Sequence, residues 1–289
     1  MINLNKIAST YLHNVDNCHF RIFQIGCGGT GSNLVQHIAQ IISLAGNKQI
    51  EYTIVDPDIL EMKNLKNQLF LEDEVGEKKA DILAERYSEA FDIPINSYSE
   101  KYIEKIEEFE KLMEYTINTS PYSHRTLNIL IGAVDNNATR KLMHSIFYKY
   151  PNILYIDAGN DSAIVPNDWT TRSINQWTQE EIEEYENSGW NGQVCSGLRI
   201  GDKTYLIPVA EQFHGILDDE DTLFPSQVSC SELSASEPQR IFVNKMSAFI
   251  VSNILNEIIS SFTLTNHYSI FNAQKCFIRS CEANITNDL

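Results

Sequence analysis

A glycine-rich turn near the amino terminus is the first part of the sequence suited to chemistry. Gly26, Gly28, Gly29 and Gly31 satisfy the pattern G-x-G-x-x-G directly after an apolar run, residues 21–25. Glycines let the backbone turn tightly and approach a phosphate, and the first amides of a following helix are free to donate to an anion. The pattern predicts a nucleotide site, but by itself it does not distinguish NAD from ATP.

Polar residues after the second apolar run extend this candidate site. Asp56 follows residues 51–55, where a carboxylate can accept hydrogen bonds from ribose hydroxyls. Asp58 fits either a ligand contact or a turn or helix cap. Asn64 and Gln68 are four residues apart, so on a helical turn they share one face.

Two charged residues suggest how phosphates and a metal are bound. Lys79 lies near the start of a predicted helix and can reach polyphosphate oxygens, although a surface lysine is the alternative interpretation. Asp135 and Asn136 follow the nearly all-apolar residues 127–134, at the carboxyl end of a predicted buried strand. Open α/β sheets bind ligands at that edge, and Mg²⁺ typically takes one or two carboxylates together with phosphate oxygens. Asp135 is therefore the predicted magnesium ligand.

These residues require a sheet whose strands end together. Strand and helix patterns alternate over residues 20–160, which predicts an α/β, doubly wound, mainly parallel sheet. The nucleotide-binding Rossmann-like part is predicted to cover residues 1–160. Residues 161–289 are predicted to form a C-terminal α+β elaboration of one continuous domain. The predicted strands cover residues 21–25, 51–55, 95–98, 127–134 and 153–157, and the predicted helices cover residues 33–44, 76–91, 102–115 and 137–148.

Several expectations concern exposure. Residues 102–115 are predicted to be an exposed helix, residues 179–186 a solvated helix or loop, and residues 211–226 a surface loop. Arg140, one turn after Asp135, is expected on a helix surface, and contact with the site is the alternative. Residues 268–279 are predicted to form one or two strands. The helix predicted for residues 238–261 carries an apolar face that is expected in the core rather than at an interface: Phe242, Met246, Phe249, Ile250, Ile254 and Ile258.

Taken together, the polar and glycine motifs resemble the ThiF/MoeB/HesA family of ATP-dependent activating enzymes in the ubiquitin-activating superfamily. The resemblance covers about residues 20–160 and rests on residues 26–32, 56–58, 64–68, 76–80 and 135–136. It implies ATP and Mg²⁺ as cofactors and adenylation of the C-terminal glycine of a small ubiquitin-like protein, with release of pyrophosphate. It also implies a homodimer.

The resemblance assigns roles to individual residues. Asp56 is implied to bind the ribose, Lys79 the phosphates and Asp135 the magnesium, while Asn64 and Gln68 line the nucleotide pocket. The family usually carries Arg where this sequence has Asn67. Loss of that cation would cost roughly a few kcal/mol of transition-state binding unless Lys63 or Lys66 replaces it.

The second half is more loosely similar to the ThiF-type proteins of PRTRC gene systems. That similarity rests on residues 157–160, 192–194, 229–231 and 239–244. Cys230 stands where relatives that form a thioester or persulfide place their nucleophile, and the alternative interpretation is an inert thiol. Helix amino termini favour the thiolate, whereas nearby acidic residues oppose it.

Composition excludes other classes of protein. A net charge of −17 without a basic cluster argues against nucleic-acid binding, and it weakly favours a neutral or basic protein partner. No apolar run approaches the roughly 20 residues that span a bilayer, and residues 1–9 do not read as a secretory signal, which predicts a cytoplasmic protein. The six cysteines include no C-x-x-C pair of the kind that binds structural zinc.

Three alternatives stay open. An NAD-dependent oxidoreductase explains the glycines and Asp56 but not Asn64, Gln68, Lys79 or Asp135. The same adenylation could act on a peptide, or on a carboxylate of a modified tRNA nucleoside, although the sequence offers no basic surface for tRNA. A catalytically degenerate scaffold that only binds a nucleotide or partner is suggested by Asn67.

Overall fold

The computed structural model describes residues 1–8, 17–115, 125–220, 223–227 and 238–284. A nine-stranded sheet runs through these residues, beside a separate strand pair. The strands are β1 Ile2–Asn3, β2 His19–Ile25, β3 Gln49–Val55, β4 Asn96–Tyr98, β5 Thr126–Gly132, β6 Asn152–Asn160, β7 Asn191–Ile200, β8 Lys203–Leu206, β9 Thr263–Leu264, β10 Asn266–Asn272 and β11 Phe277–Glu282. The helices are α1 Leu4–Ile7, α2 Gly29–Leu44, α3 Lys79–Phe91, α4 Ile106–Tyr115, α5 Asn137–Lys149, α6 Gln179–Asn187, α7 Val209–Gln212, α8 Gly215–Asp218 and α9 Ile241–Ser261.

The sheet has a parallel part and an antiparallel part. Strands β6, β5, β2, β3 and β4 are parallel neighbours in that order. Beyond β6 the direction reverses: β7 pairs antiparallel with β6, β10 with β7, and β11 with β10. The carboxyl ends of the parallel strands therefore share one edge with the start of β7 and with the β10–β11 turn.

Both faces of the sheet are covered, which explains its apolar strands. All seven residues of β2 and of β5 are buried. Successive side chains on a strand point to opposite faces. Accordingly Ile22 and Ile129 pack in the core layer that includes α2, α3 and α9, whereas Phe23 and Leu130 pack in the layer that includes α4 and α5. The predicted doubly wound, mainly parallel α/β fold is confirmed.

Two segments that were predicted to be exposed differ from the structure. Residues 106–115 form a helix, but its Phe109, Leu112 and Met113 are buried against the sheet, so α4 is amphipathic rather than exposed. Residues 211–226 include the short helix α8, whose Ile216 is buried, and are therefore more than a surface loop. Both segments are rich in charged residues, so the few apolar side chains that pack against the sheet do not stand out in the sequence.

The apolar face predicted for α9 is divided. Ile250, Ile254 and Ile258 are buried as expected, but Phe242 is 66% exposed and Phe249 is 58% exposed. The buried stripe also includes small and polar residues of the helix, such as Asn244 and Ser247. Hydrophobicity alone therefore misplaces the face that packs on α2.

Among the described residues, no helix combines the length and the apolar character needed to cross a bilayer. The sheet continues without interruption past residue 160, since β6 pairs with both β5 and β7. The division of the chain near that residue stays a prediction.

Candidate active site

A single cleft of about 1480 Å³ follows the edge where the parallel strands end. We call the part lined by residues 25–140 the first half, and the part lined by residues 158–277 the second half. The first half lies over β2, β3 and β5, and the second half lies over β6, β7 and the β10–β11 hairpin. Ligands of doubly wound folds bind at such an edge.

Close contacts with neighbouring atoms require glycine at three of the four positions of the turn. A side chain on Gly26 would place its Cβ 2.4 Å from the Ala133 carbonyl oxygen, and the residue has φ +99°. A Cβ on Gly31 would lie 2.1 Å from the Gly26 carbonyl oxygen, and one on Gly29 would lie 2.1 Å from Asn244 Nδ2. These three glycines are fixed by packing of the protein itself.

Gly28 is the exception among the four glycines. Its Cβ would meet only Gln68 Nε2, at 3.9 Å, and the residue lines the cleft. Helix α2 begins at the next residue. The backbone at Gly28 is therefore open to the close approach of a ligand, and the free amides at the helix start are available to an anion.

Asp56 is a buried carboxylate beneath this turn. Its Oδ2 accepts a hydrogen bond from the Cys27 amide at 2.6 Å, and its Oδ1 accepts one from the Asp58 amide at 2.9 Å. Burial, followed by repulsion from Asp58, raises the pKa of Asp56 to about 6. Asp56 thus holds the glycine turn in place and also lines the cleft, where its remaining lone pairs can accept from a ligand.

Lys79 is the buried cation of the first half. Only 5% of the residue is exposed, and its ammonium nitrogen lies 2.9 Å from Asp58 Oδ2. Burial alone would lower the pKa of Lys79, but Asp56 and Asp58 outweigh it and raise the pKa above its usual value. The surface-lysine interpretation is wrong, because this charge lies at the cleft rather than in bulk water.

Asp58 is held from two sides. The Tyr102 hydroxyl donates to Asp58 Oδ1 while Lys79 pairs with Oδ2. Burial pushes the pKa of Asp58 upward, but Lys79 and Tyr102 outweigh it, so the pKa lies below its usual value. Tyr102 and Asp58 therefore orient the lysine toward the cleft.

The turn after β3 supplies the neighbouring wall. Asn64, Asn67 and Gln68 all line the cleft. Asn64 Oδ1 accepts from the Glu61 amide at 2.9 Å, which stabilises the turn. Gln68 Oε1 is buried and has no partner within the described residues, so a ligand donor would satisfy it. Lys63 also lines the cleft, where it pairs with Glu61 at 2.9 Å.

Asp135 and Asn136 occupy the turn between β5 and α5. Asp135 is exposed and lines the cleft. Asn136 caps α5, since its Oδ1 accepts from the Thr139 amide at 2.8 Å. Within the described ranges, no three His, Cys, Asp or Glu side chains are grouped to hold a metal by themselves. One open carboxylate instead fits magnesium that arrives with phosphate oxygens and keeps several waters.

The second half has one acidic lining residue, Asp161, and is otherwise uncharged and partly apolar. Five carboxamide residues line it, together with the hairpin residues Ile270 and Phe277: Asn160, Asn191, Gln193, Gln239 and Asn272. Asn160 Nδ2 donates to Thr30 Oγ1 at 2.9 Å and to Asn244 Oδ1 at 2.8 Å, which ties β6 to α2 and α9. Carboxamides offer both a donor and an acceptor, as an extended peptide backbone requires.

The sequence that forms this cleft matches the model of a known protein family. The model of the ThiF family matches residues 3–176, more than half of the chain. The chain belongs to the ThiF family. The resemblance of the glycine turn and polar motifs is thereby confirmed at the level of the family. No curated protein matches this ThiF-family chain.

Solved structures show the same fold at low sequence identity. PaaA is 16% identical over 94% of this chain and 66% of its own, with a TM-score of 0.55. MccB of E. coli, crystallised with AMPCPP and MccA, is 15% identical over 95% of this chain and 66% of its own, with a TM-score of 0.54. MccB crystallised with ATP gives a TM-score of 0.52. This ThiF-family chain thus spans about two thirds of the length of the solved structures it matches.

The structure brings most of the predicted site residues together. Residues from the glycine turn to Asn136 share the cleft of this ThiF-family chain: Gly26, Gly28, Gly29, Asp56, Asp58, Asn64, Gln68, Lys79, Asp135 and Asn136. Gly31 lies within α2 instead, where it packs against Gly26. Cys230 lies outside the described residues, so its role stays a prediction.

Sequence reasoning missed Tyr102 and the hairpin residues, and it misplaced Arg140. Arg140 is 9% exposed and lines the cleft, so its prediction as a helix-surface residue is wrong. Its position one turn after Asp135 was a signal in the sequence. Tyr102 and Phe277 gave no local signal, because only the tertiary structure brings them to the strand ends.

Proposed function

We propose that this protein uses ATP and magnesium to adenylate the carboxyl terminus of a peptide or small protein, and that a small ubiquitin-like protein ending in glycine is its substrate. One observation carries the proposal: a single cleft joins the buried Lys79 and the open Asp135 to a carboxamide-lined groove that reaches the β10–β11 hairpin. The ThiF family match and the resemblance to MccB and PaaA support an adenylyltransferase acting on such a substrate.

The first half suits a nucleoside triphosphate. Gly28 leaves room for a phosphate, the start of α2 offers amides, and Lys79 provides a fixed positive charge. Asp56 has acceptor capacity left for a ribose hydroxyl. Magnesium bound by Asp135 and phosphate oxygens would neutralise the negative charge that develops on the triphosphate.

The reaction requires no general base from the protein. A terminal carboxylate is already ionised at neutral pH. One of its oxygens attacks the α-phosphorus and forms the acyl–phosphate bond, while the bond from that phosphorus to the oxygen bridging it to the β-phosphorus breaks and pyrophosphate leaves. Lys79 stabilises the transferring charge, and the glycine turn holds the phosphates in line.

The second half suits the tail that carries the carboxylate. From β5 to β11 the sheet takes four strand steps, which at roughly 4.8 Å per step is about 19 Å. An extended tail of about six residues spans that length. The carboxamides provide partners for its backbone, and Ile270 and Phe277 provide apolar contact for one side chain.

Lys63 is the side chain best placed to replace the arginine that the family usually carries at the position of Asn67. Lys63 and Asn67 both line the cleft, whereas Lys66 does not. A cation four residues earlier on the same turn restores positive charge beside the phosphates. This assignment argues for an active enzyme over a degenerate scaffold.

Four other predictions concern features that the cleft does not test. Transfer of the activated group through Cys230, a homodimer, a cytoplasmic location and the closer relation to PRTRC systems all stay predictions.

ATP–pyrophosphate exchange tests the proposal directly. The protein is incubated with ATP, Mg²⁺, labelled pyrophosphate and either a panel of ubiquitin-like proteins or synthetic hexapeptides ending in Gly-Gly. Substrate-dependent exchange that is lost in Asp135→Ala and kept in Asp161→Ala is expected, because both aspartates line the cleft but only Asp135 lies in the half proposed to bind the phosphates. NADH binding without exchange would favour the oxidoreductase, and ATP binding without exchange would favour the scaffold.

A further inference from the structure

Arg140 lies at the boundary between the two halves of the cleft. Its Nη2 donates to the Val134 carbonyl oxygen at 2.6 Å and to the Ala158 carbonyl oxygen at 3.3 Å. Its Nη1 donates to Asn137 Oδ1 at 3.1 Å. One guanidinium group therefore links the turn after β5, the end of β6 and the start of α5.

Each carbonyl partner lies beside a residue of the proposed site. Val134 precedes Asp135, the proposed magnesium ligand, and Ala158 lies two residues before Asn160, which contacts Thr30 at the glycine turn. Asp135 itself is exposed. The backbone of its turn is thus fixed from below by Arg140, while its carboxylate stays open to the cleft.

The charge of Arg140 is balanced inside the protein. Its Nε lies 3.1 Å from Asp157 Oδ1, and the Asp157 side chain has 0% exposure. Burial alone would lower the pKa of Arg140, but Asp157 and Tyr155 outweigh it and raise the pKa. Asp157 is therefore the main partner of the positive charge, while Nη1 and Nη2 donate to Asn137 and to the Val134 and Ala158 carbonyls.

We propose that Arg140 is a positioning residue that fixes the Val134–Asp135 turn and thereby aims the Asp135 carboxylate at the metal-bound nucleotide. The inference rests on the proposed function, since it assumes that Asp135 receives magnesium with ATP. Groups that orient a metal ligand without touching the metal commonly change metal affinity about 10–100-fold when removed.

Arg140→Lys separates positioning from charge. A lysine can pair with Asp157, but its single ammonium group cannot hold the Val134 and Ala158 carbonyls in the planar geometry of a guanidinium. Calorimetric titration of ATP is carried out in excess Mg²⁺ and again in EDTA, and Mn²⁺ binding to the ATP complex is followed by electron paramagnetic resonance. Neither measurement depends on turnover.

We expect Arg140→Lys to weaken Mg·ATP and Mn²⁺ binding about tenfold, and to leave ATP binding in EDTA within about twofold. Arg199→Lys is the matched control, because Arg199 donates to the Tyr150 carbonyl at 2.9 Å, away from the cleft. The control should match the unmodified protein in both titrations. A thermal melt of each variant shows whether it is folded.

Asn137→Ala is the second variant and decides the case if Arg140→Lys does not fold. It removes the acceptor of Nη1 and keeps the Asp157 pair, so a loss of about threefold in Mg·ATP affinity is expected. Metal-dependent affinity unchanged in the folded variants, or an equal loss with and without metal, would overturn the inference alone. Failure of the unmodified protein to bind ATP would overturn the proposed function as well.

Discussion

The two halves of the cleft differ in their basic side chains and in the partners that hold those side chains in place. Four basic side chains line the first half, and each has a partner: Lys63 with Glu61, Lys78 with the Pro57 carbonyl, Lys79 with Asp58 and Arg140 with Asp157. Among the described residues that line the second half, none is basic.

Burial also differs between the central charged side chain of the first half and the apolar side chain at the far end of the second. Lys79 is 5% exposed and its orientation is fixed by Asp58, whereas Phe277 on the hairpin is 53% exposed. Buried, paired charges bind a ligand of fixed shape and high charge, and they are costly to disturb. Exposed apolar and carboxamide groups bind a neutral chain with less energy from each contact. Under the proposed function, the first half would bind a nucleotide rigidly and the second half would bind a substrate tail weakly.

The largest expected effect comes from Lys79→Met, which tests whether the first half carries the chemistry. Removing a fixed charge at developing negative charge should lower the exchange rate about 10²–10³-fold. Lys66→Met is the control. Lys66, like Lys79, lies between β3 and β4 in the sequence, but it does not line the cleft. Equal losses in both variants, measured at matched folded fraction, would contradict the assignment.

Asp56 and Asp58 should give opposite stability–pH profiles. The folded-state pKa of Asp56 is raised to about 6, so the native state holds a proton that the unfolded state has lost between about pH 4 and 6. Across that range the stability of the unmodified protein should fall relative to Asp56→Asn as pH rises, by an amount on the order of 2–3 kcal/mol.

The pKa of Asp58 is lowered, so its contribution is present above the unfolded pKa near 4 and is lost as pH falls. The stability of the unmodified protein should therefore rise relative to Asp58→Asn as the pH rises from the folded-state pKa of Asp58 to about pH 4, below the range in which Asp56 acts. Urea titrations at several pH values measure both differences. Profiles of the same sign would show that the two carboxylates do not form the arrangement described.

Gly28 and Gly29 are neighbours in the glycine turn, but one is open to the cleft and the other is fixed by packing, so substitutions at the two positions should have different effects. Gly29→Ala forces its Cβ against Asn244 Nδ2 and should destabilise the fold by about 1–3 kcal/mol. Gly28→Ala meets open space, so the melting temperature should stay unchanged while ATP affinity falls about tenfold. Asn244→Ala should rescue Gly29→Ala in part. A stable Gly29→Ala protein would contradict the packing assigned to α9.

The smallest effect is expected in the second half. Phe277→Ala should raise the KM for a peptide substrate about fivefold, with kcat and the KM for ATP unchanged, because binding is lost equally in the ground and transition states. Ile278→Ala is the neighbouring control, since Ile278 does not line the cleft. A fall in kcat instead would place Phe277 nearer the reaction than the geometry does.

Local patterns were enough to predict the parallel strands and the first half. Apolar runs that end in Gly26, Asp56 and Asp135 predict both a buried strand and a polar residue at its carboxyl end. Because parallel strands end at one edge, those residues meet without further information. This is why the nucleotide part could be predicted from one sequence.

The remaining features depend on contacts between distant segments. Tyr102 reaches Asp58 across 44 positions of the chain, and no periodicity marks such a contact. Charged neighbours hid the buried residues of α4, and the packing surface of α9 includes Asn244 and Ser247, which a hydrophobic pattern does not select. Arg140 is polar by type, so only the buried Asp157 explains its position.

The β10–β11 hairpin occupies the outermost position of the nine-stranded sheet, and every residue of β11 is exposed. Strand β10 contributes the buried Phe271 to the core, so only the exposed turn and β11 can be changed without repacking the interior. Under the proposed function, grafting a different turn at residues 274–276, which are exposed, would change the substrate end of the cleft and leave the residues proposed to bind ATP in place.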